Sequence, residues 1–301
     1  MDFVLVLVAP GQGAQTPGFL TPWLELPGLA DRLAAWSEVA GLDLITYGTK
    51  ADADEIRDTA VAQPLLVATA LASAEALGAT PDLLAGHSVG EFATAALAGV
   101  LTPEQALTLV RERAQAMAKA AAVTETGMTA VLGGVEAEVL AAIDKHGLTP
   151  ANVNGAGQIV AGGTLEQLAA LKADAPARAR LIALSVAGAF HTEHMAPAVE
   201  HLRTAAEGIT PADPRVKLLS NADGQVVTDG AQLMRRLIDQ VSSPVRWDRC
   251  MATMADLGVT RMIELLPGGT LTGLAKRGLR DVRTVALKTP DDLDAARELI
   301  K

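Results

Sequence analysis

Residues 83–91 read Leu-Leu-Ala-Gly-His-Ser-Val-Gly-Glu. The apolar run at 83–86 is too short for a helix and ends in glycine, so it reads as a short buried strand. Residues 89–98 read as a helix, which puts Ser88 at a strand-to-helix junction. Glycine lacks the Cβ that a sharp backbone turn would drive into its neighbours. Gly86-His87-Ser88-Val89-Gly90 satisfies the G-x-S-x-G pattern, in which such a turn presents a serine hydroxyl. On that reading Ser88 is a nucleophile, and the Val89 backbone N–H, close to a helix N-terminus, is an oxyanion donor. The alternative is a tight turn with a purely structural role.

Strands and helices alternate on either side of this junction. Residues 3–8 form an apolar, β-branched run that reads as a buried strand and ends in the loop Pro10-Gly11-Gln12-Gly13. Residues 62–77 read as a helix, with Pro64 expected in its first turn. Thr102-Pro103-Glu104-Gln105 is a capping box that opens a long helix. The middle of the chain predicts strand 128–132, helix 136–146, strands 151–153 and 158–161 around a turn, helix 164–173 and strand 180–186. That β-α-β-β-α-β order is the split pattern of ferredoxin-like folds. From 188 onward further strands and helices alternate, ending in a final helix from Thr270. The expected fold is α/β: a large α/β-hydrolase-like domain with a mostly parallel sheet, 1–125 and 188–301, interrupted by a small ferredoxin-like subdomain, 126–187.

Composition narrows the function classes. The chain has 301 residues, half of them hydrophobic, and a net charge of −10. Such a surface argues against nucleic-acid or anionic-membrane partners. Cys250 is the sole cysteine, so neither an internal disulfide nor a cysteine zinc site is expected. The N-terminal apolar run is too short for a membrane span and lacks the basic start of a secretory signal. The expectation is a cytoplasmic protein.

A nucleophilic serine needs a base. Five histidines are available. His87 adjoins the serine and reads as structural. His146 closes a surface helix, and His201 lies among charges on another. His191 and His194 follow a strand. His191 comes after the flexible Gly188-Ala189 and is the better placed to reach a site, although the residues alone leave a structural role open. Arg113 falls within the apolar stripe Ala106, Leu109, Val110 and Met117. A charge there is costly unless paired. It either grips a ligand carboxylate, which suits the guanidinium fork, or forms an internal salt bridge.

Read in order, GQGAQ at 11–15, GHSVGE at 86–91, RAQAM at 113–117, NVNGAGQIVAGG at 152–163, GAFHTEHM at 188–195, QVSSPVRW at 240–247 and PGGTLTGLAKR at 267–277 resemble the malonyl-CoA:acyl carrier protein transacylases and the related acyltransferase domains of polyketide synthases. The resemblance spans nearly the whole chain. It departs at Ala9, at Val89, and at Leu266, where relatives carry an aromatic residue, a leucine and a glycine.

The resemblance implies a Ser88–His191 dyad with the histidine oriented by a backbone carbonyl near Gln240, and no acidic third member. It implies the backbone N–H of Gln12 as second oxyanion donor, Arg113 as the carboxylate-binding arginine, Phe190 as a residue associated with malonyl over methylmalonyl units, and Gln63 as a pocket residue. The implied reaction is ping-pong transfer of a malonyl group from malonyl-CoA, a substrate and not a bound cofactor, to acyl carrier protein. It serves fatty acid synthesis and also feeds polyketide synthesis. Lys276, Arg277, Arg280, Arg178 and Arg180 are candidates for docking an acidic carrier, or simply solvated charges. The alternatives are an α/β-hydrolase-type esterase or thioesterase, with Asp144, Glu166 or Asp174 as a third member, and an inactive carrier-binding protein.

Overall fold

In the computed structural model, which describes residues 3–301, the chain forms two sheets. The first runs through β1 (Leu5–Ala9) and β2 (Leu83–Gly86) at its centre. Helices α1 (Leu29–Ala40), α2 (Leu44–Thr49) and α3 (Thr59–Leu77) lie between those two strands in the chain. After β2 come α4 (Gly90–Leu97) and α5 (Pro103–Ala121). The chain then builds a second sheet from β3 (Thr126–Gly133), α6 (Glu136–Lys145), β4 (Thr149–Gly155), β5 (Gln158–Thr164), α7 (Leu165–Ala173) and β6 (Ala179–Ala183). It returns through α8 (Ala196–Ala205), β7 (Lys217–Leu219), β8 (Val226–Val227) and α9 (Gly230–Asp239). The last stretch comprises β9 (Val245–Arg246), α10 (Trp247–Asp256), β10 (Arg261–Glu264), α11 (Thr270–Gly278), β11 (Arg283–Ala286) and α12 (Asp292–Leu299).

The first sheet has the order β11-β10-β1-β2-β7-β8 and is parallel except for the edge pair β7–β8. Every residue of β1 and β2 is buried. That is the pattern of a parallel sheet covered on both faces, and it explains why these strands read as unbroken apolar runs. The second sheet has the order β6-β3-β5-β4-β9, antiparallel throughout except where β9 joins β4 in parallel.

Several expectations need correction. Helix α3 begins at Thr59, because the Asp58 side chain accepts from the Ala60 amide at 2.8 Å and caps the helix there. Pro64 consequently sits in the second turn and not the first; its absent N–H leaves one intrahelical bond unmade. The helix beginning at Thr270 is not the last element, since β11 and α12 follow it. Residues 245–246 form a strand before α10, which extends the second sheet with a strand from outside 126–187. Helix α3 is long and apolar enough to cross a membrane, yet 83% of its most apolar stretch is buried inside the protein. An interior helix is apolar all round for the same reason a membrane helix is: no side faces water.

Candidate active site

The turn after β2 explains its glycines. A Cβ on Gly86 would lie 2.1 Å from the Gly90 carbonyl carbon, and one on Gly90 would lie 2.3 Å from the Ala9 oxygen. Both glycines are required by close backbone approach. The left-handed conformation falls on the serine itself, at φ 52°. Such a conformation is costly for a non-glycine residue and persists only where surrounding bonds hold it. Here Asn221 holds it. Its Oδ1 accepts from the Ser88 amide at 2.7 Å and its Nδ2 donates to the Gly86 carbonyl at 2.8 Å.

The structure brings His191 to Ser88. Its Nε2 lies 2.7 Å from Ser88 Oγ, and its Nδ1 lies 2.8 Å from the Gln240 backbone oxygen. A carbonyl can only accept, so Nδ1 carries the proton and Nε2 is free to take the serine's. Burial above all, and then the nearby Arg113 charge, hold the imidazole down at about 3, well below the ordinary histidine range. It is therefore neutral, as a base must be. His191 also has a positive φ, 61°, so both members of the pair are held in sparsely populated backbone conformations.

The other histidines lie away from the serine hydroxyl. His87 binds Asn154 Oδ1 at 2.8 Å and lies against Trp247. His146 meets Asp174, and His201 meets Glu112. Asp174 is also bonded to Lys145, and the histidine facing Ser88 has a backbone carbonyl, not a carboxylate, on its far nitrogen. The acid-assisted triad of the esterase reading is thus not formed.

Arg113 is completely buried. Its NH1 donates to Gln63 Oε1 at 2.6 Å and its NH2 to Gln240 Oε1 at 2.9 Å, with Ser88 Oγ 3.4 Å from NH2. Its Nε has no partner. Among the described residues no carboxylate lies within ion-pair distance of it, which disposes of the internal salt bridge. Burial lowers its pKa to about 10, with Glu91 pulling the other way. The expectation needs refinement in one respect: the guanidinium does not line the cleft directly. It sits behind a wall formed by Ser88, Gln63 and Met117.

That cleft is lined by Gln12, Val89, Phe190 and His191, together with Met128, Asn152 and Val160 from the second sheet and Leu184 just after it. Gln12 and Val89 line the cleft with Ser88, and neither backbone amide donates to another described residue. An open groove continues outward past His87, Asn152 and Leu184 to Arg277 on α11. Lys276, Arg277, Arg280, Arg178 and Arg180 are all exposed.

Two residues escaped the sequence reading. Asn221 lies 133 positions from Ser88 and carries no local signal. Glu91 is only 2% exposed, accepting from the Asn221 amide at 2.8 Å and from Gln240 Nε2. Burial pushes its carboxyl up, against the pull of those donors and of the Arg113 charge; both oxygens accept from N–H groups, which leaves a carboxyl proton no acceptor. A charged residue in the first turn of an apolar helix was the available clue.

Known proteins match the chain along nearly its whole length. Residues 6–293 match the acyl transferase domain family. The malonyl CoA-acyl carrier protein transacylase of Mycobacterium tuberculosis is 52% identical over 98% of this chain and 100% of its own. The crystal structure of the M. tuberculosis enzyme superposes with a TM-score of 0.95, covering 99% of this chain and all of that one. A malonyl-transacylase solved in complex with its type II polyketide synthase acyl-carrier protein is 30% identical, with a TM-score of 0.91 over 98% of this chain and 99% of its own.

Proposed function

The chain belongs to the acyl transferase domain family, and from that premise we infer that it moves a malonyl group from malonyl-CoA to the phosphopantetheine thiol of an acyl carrier protein. The observation that carries this reading is the juxtaposition at Ser88: an imidazole nitrogen 2.7 Å from the hydroxyl, and a buried guanidinium without a carboxylate partner 3.4 Å from it. The first group makes an acylating serine. The second selects an acyl group that ends in a negative charge.

His191 Nε2 takes the Ser88 proton while Oγ bonds to the thioester carbonyl carbon. The developing oxyanion is met by the Gln12 and Val89 amides; each such donor is worth roughly 10²–10³ in rate. The C–S bond breaks, and the CoA sulfur leaves with the proton from His191. In the second half the carrier thiol gives its proton to His191 and its sulfur takes the malonyl carbon. The C–Oγ bond breaks and the proton returns to Ser88. The Gln240 carbonyl keeps the imidazole in the required tautomer throughout. These steps use only the chain's own groups and no bound cofactor.

Arg113, held by Gln63 and Gln240, is assigned the malonyl carboxylate. For the carboxylate to reach it, the Ser88 contact must yield and Met117 or Gln63 must shift. Met117, flexible and unbranched, suits that role. Phe190 narrows the cleft where an α-methyl branch would sit. The groove ending at Arg277 is assigned to the pantetheine arm, and the exposed cations at 276, 277, 280, 178 and 180 to the acidic carrier. The product supplies fatty acid synthesis, and the same chemistry serves polyketide synthesis. A cytoplasmic location belongs to this reading.

We also read the two sheets as the expected α/β-hydrolase-like domain, 1–125 and 188–301, and a ferredoxin-like subdomain, 126–187. Support comes from the order β6-β3-β5-β4 and from Gly188, where a Cβ would lie 2.7 Å from that of Ala121. Entry and exit of the inserted unit lie side by side.

The decisive experiment is intact mass after mixing with malonyl-CoA. One malonyl group should persist on the chain, and none on Ser88→Ala. Rapid release to water would revive the hydrolase alternative. Arg113→Ala should lose most of the preference for malonyl over acetyl; retention of that preference would unseat Arg113.

A further inference from the structure

Glu91 is buried at the point where two hydrogen-bond chains meet. One chain runs from Oε1 to the Asn221 amide, and Asn221 in turn fastens Ser88 and Gly86. The other runs from Oε2 to Gln240 Nε2, for which it is the shortest of three acceptors, the others being the Ser88 carbonyl at 3.2 Å and Asn221 Oδ1 at 3.3 Å, and Gln240 Oε1 accepts from Arg113. The direction of the second chain is forced by chemistry. Arginine has only donors, so the Gln240 amide must face it with oxygen. The amide's NH₂ then faces Glu91, and only an acceptor satisfies it there.

We propose that Glu91 is a positioning residue for the acyl-group preference: as an acceptor on both oxygens it fixes the orientation of the Gln240 amide, and through it the Arg113 guanidinium that receives the malonyl carboxylate. The inference deepens the functional reading above and rests on it. Gln240 has two separate duties on this view. Its backbone carbonyl orients His191 and its side chain orients Arg113, and Glu91 governs only the second.

Glu91→Gln isolates the effect. The Asn221 amide needs an acceptor, so the new amide oxygen stays there and the Ser88 turn keeps its brace. The new NH₂ then confronts the NH₂ of Gln240. The Gln240 NH₂ keeps only its longer contacts, to the Ser88 carbonyl at 3.2 Å and Asn221 Oδ1 at 3.3 Å, and the amide is pushed out of line, so Arg113 loses the alignment of its acceptor. One charge-assisted hydrogen bond corresponds to roughly 10- to 100-fold, and the ratio of malonyl to acetyl acylation rates on Ser88 should fall by that factor.

The experiment measures single-turnover acylation by malonyl-CoA and by acetyl-CoA, read by intact mass, for wild type, Glu91→Gln, Arg113→Ala and the double variant. In the Arg113→Ala background, Glu91→Gln should leave the ratio unchanged, because the group it positions is gone. A residue that merely supports the fold would lower both rates alike in both backgrounds. An unchanged ratio in folded Glu91→Gln overturns the proposal. If that variant does not fold, Gln240→Ala carries the test, since it deletes the amide but keeps the carbonyl facing His191. It should lose the same preference, and keeping the preference overturns the proposal. Failure of the wild type to take up malonyl at all would instead remove the functional reading, and this inference with it.

Discussion

The two sheets meet at the cleft and contribute to it unequally. The parallel sheet ends in the Ser88 turn, where a Cβ on Gly86 or Gly90 would fall 2.1 or 2.3 Å from backbone atoms and the serine is held at φ 52°. The antiparallel sheet and the segment that follows it supply walls: Met128, Asn152, Val160 and Leu184. Its hairpin also has left-handed residues, Gly155, Ala156 and Gly157, but a Cβ on Gly157 would meet nothing closer than 3.8 Å and one on Gly155 would crowd only the flexible end of Met251, at 2.8 Å. The Ser88 turn leaves no room beside its backbone at Gly86 and Gly90. The antiparallel sheet shapes the cleft with side chains that can change without moving the chemistry.

That contrast can be broken most sharply at the reacting pair. Ser88→Ala should abolish covalent malonyl uptake, and His191→Ala should slow acylation by on the order of 10³-fold or more, both read by quenched intact mass. In the second sheet no single substitution should do this, and a wall variant with a comparable loss would erase the distinction. Next comes Gly90→Ala, which drives a methyl group into the Ala9 carbonyl. It should cost about 3 kcal/mol in urea unfolding, against about 1 kcal/mol for Gly157→Ala. Similar costs would mean the turn is less constrained than its contacts indicate.

Smaller again is Val160→Ala in the wall. It should raise KM for malonyl-CoA roughly 2- to 10-fold with kcat little changed, the mark of lost uniform binding worth about 0.5–1.5 kcal/mol. The mildest expectation concerns pH. Because His191 is held near 3 by burial and by Arg113, the acylation rate should stay flat from neutral pH through the usual histidine range. Stability should behave otherwise. A histidine whose folded pKa is depressed contributes stability that is present above its unfolded value of 6.5 and lost as pH falls toward 3. A rate that drops through 6.5 in step with an ordinary imidazole would show His191 to be more solvated than this structure has it.

Much of this arrangement was legible beforehand because it is local. The strand, turn and helix around Ser88 are written in the consecutive residues 83–98. The long helix carrying Arg113 announces itself by its capping box, present as read at Thr102 and Gln105. The alternation of strands and helices in the middle of the chain was readable from spacing. What was missed is of two kinds. Helix α3 begins earlier than Pro64 implied, because an aspartate cap outweighed the proline's positional preference. Residues 245–246 became a strand because β4 offers them an edge, which no local pattern reveals.

The sequence by itself determined the chemistry on offer: a serine at a turn that only glycine permits, a histidine on a flexible approach, and an arginine on an apolar stripe. Each follows from short-range sterics or helical period, which neighbouring residues dictate. Tertiary structure alone decided how they are connected. Asn221 reaches Ser88 across 133 positions and Gln240 reaches Arg113 across 127, bonds that exist only because folding brings buried donors and acceptors to one place where each must find a partner. The tautomer of His191 and the orientation of Gln240 follow from that requirement.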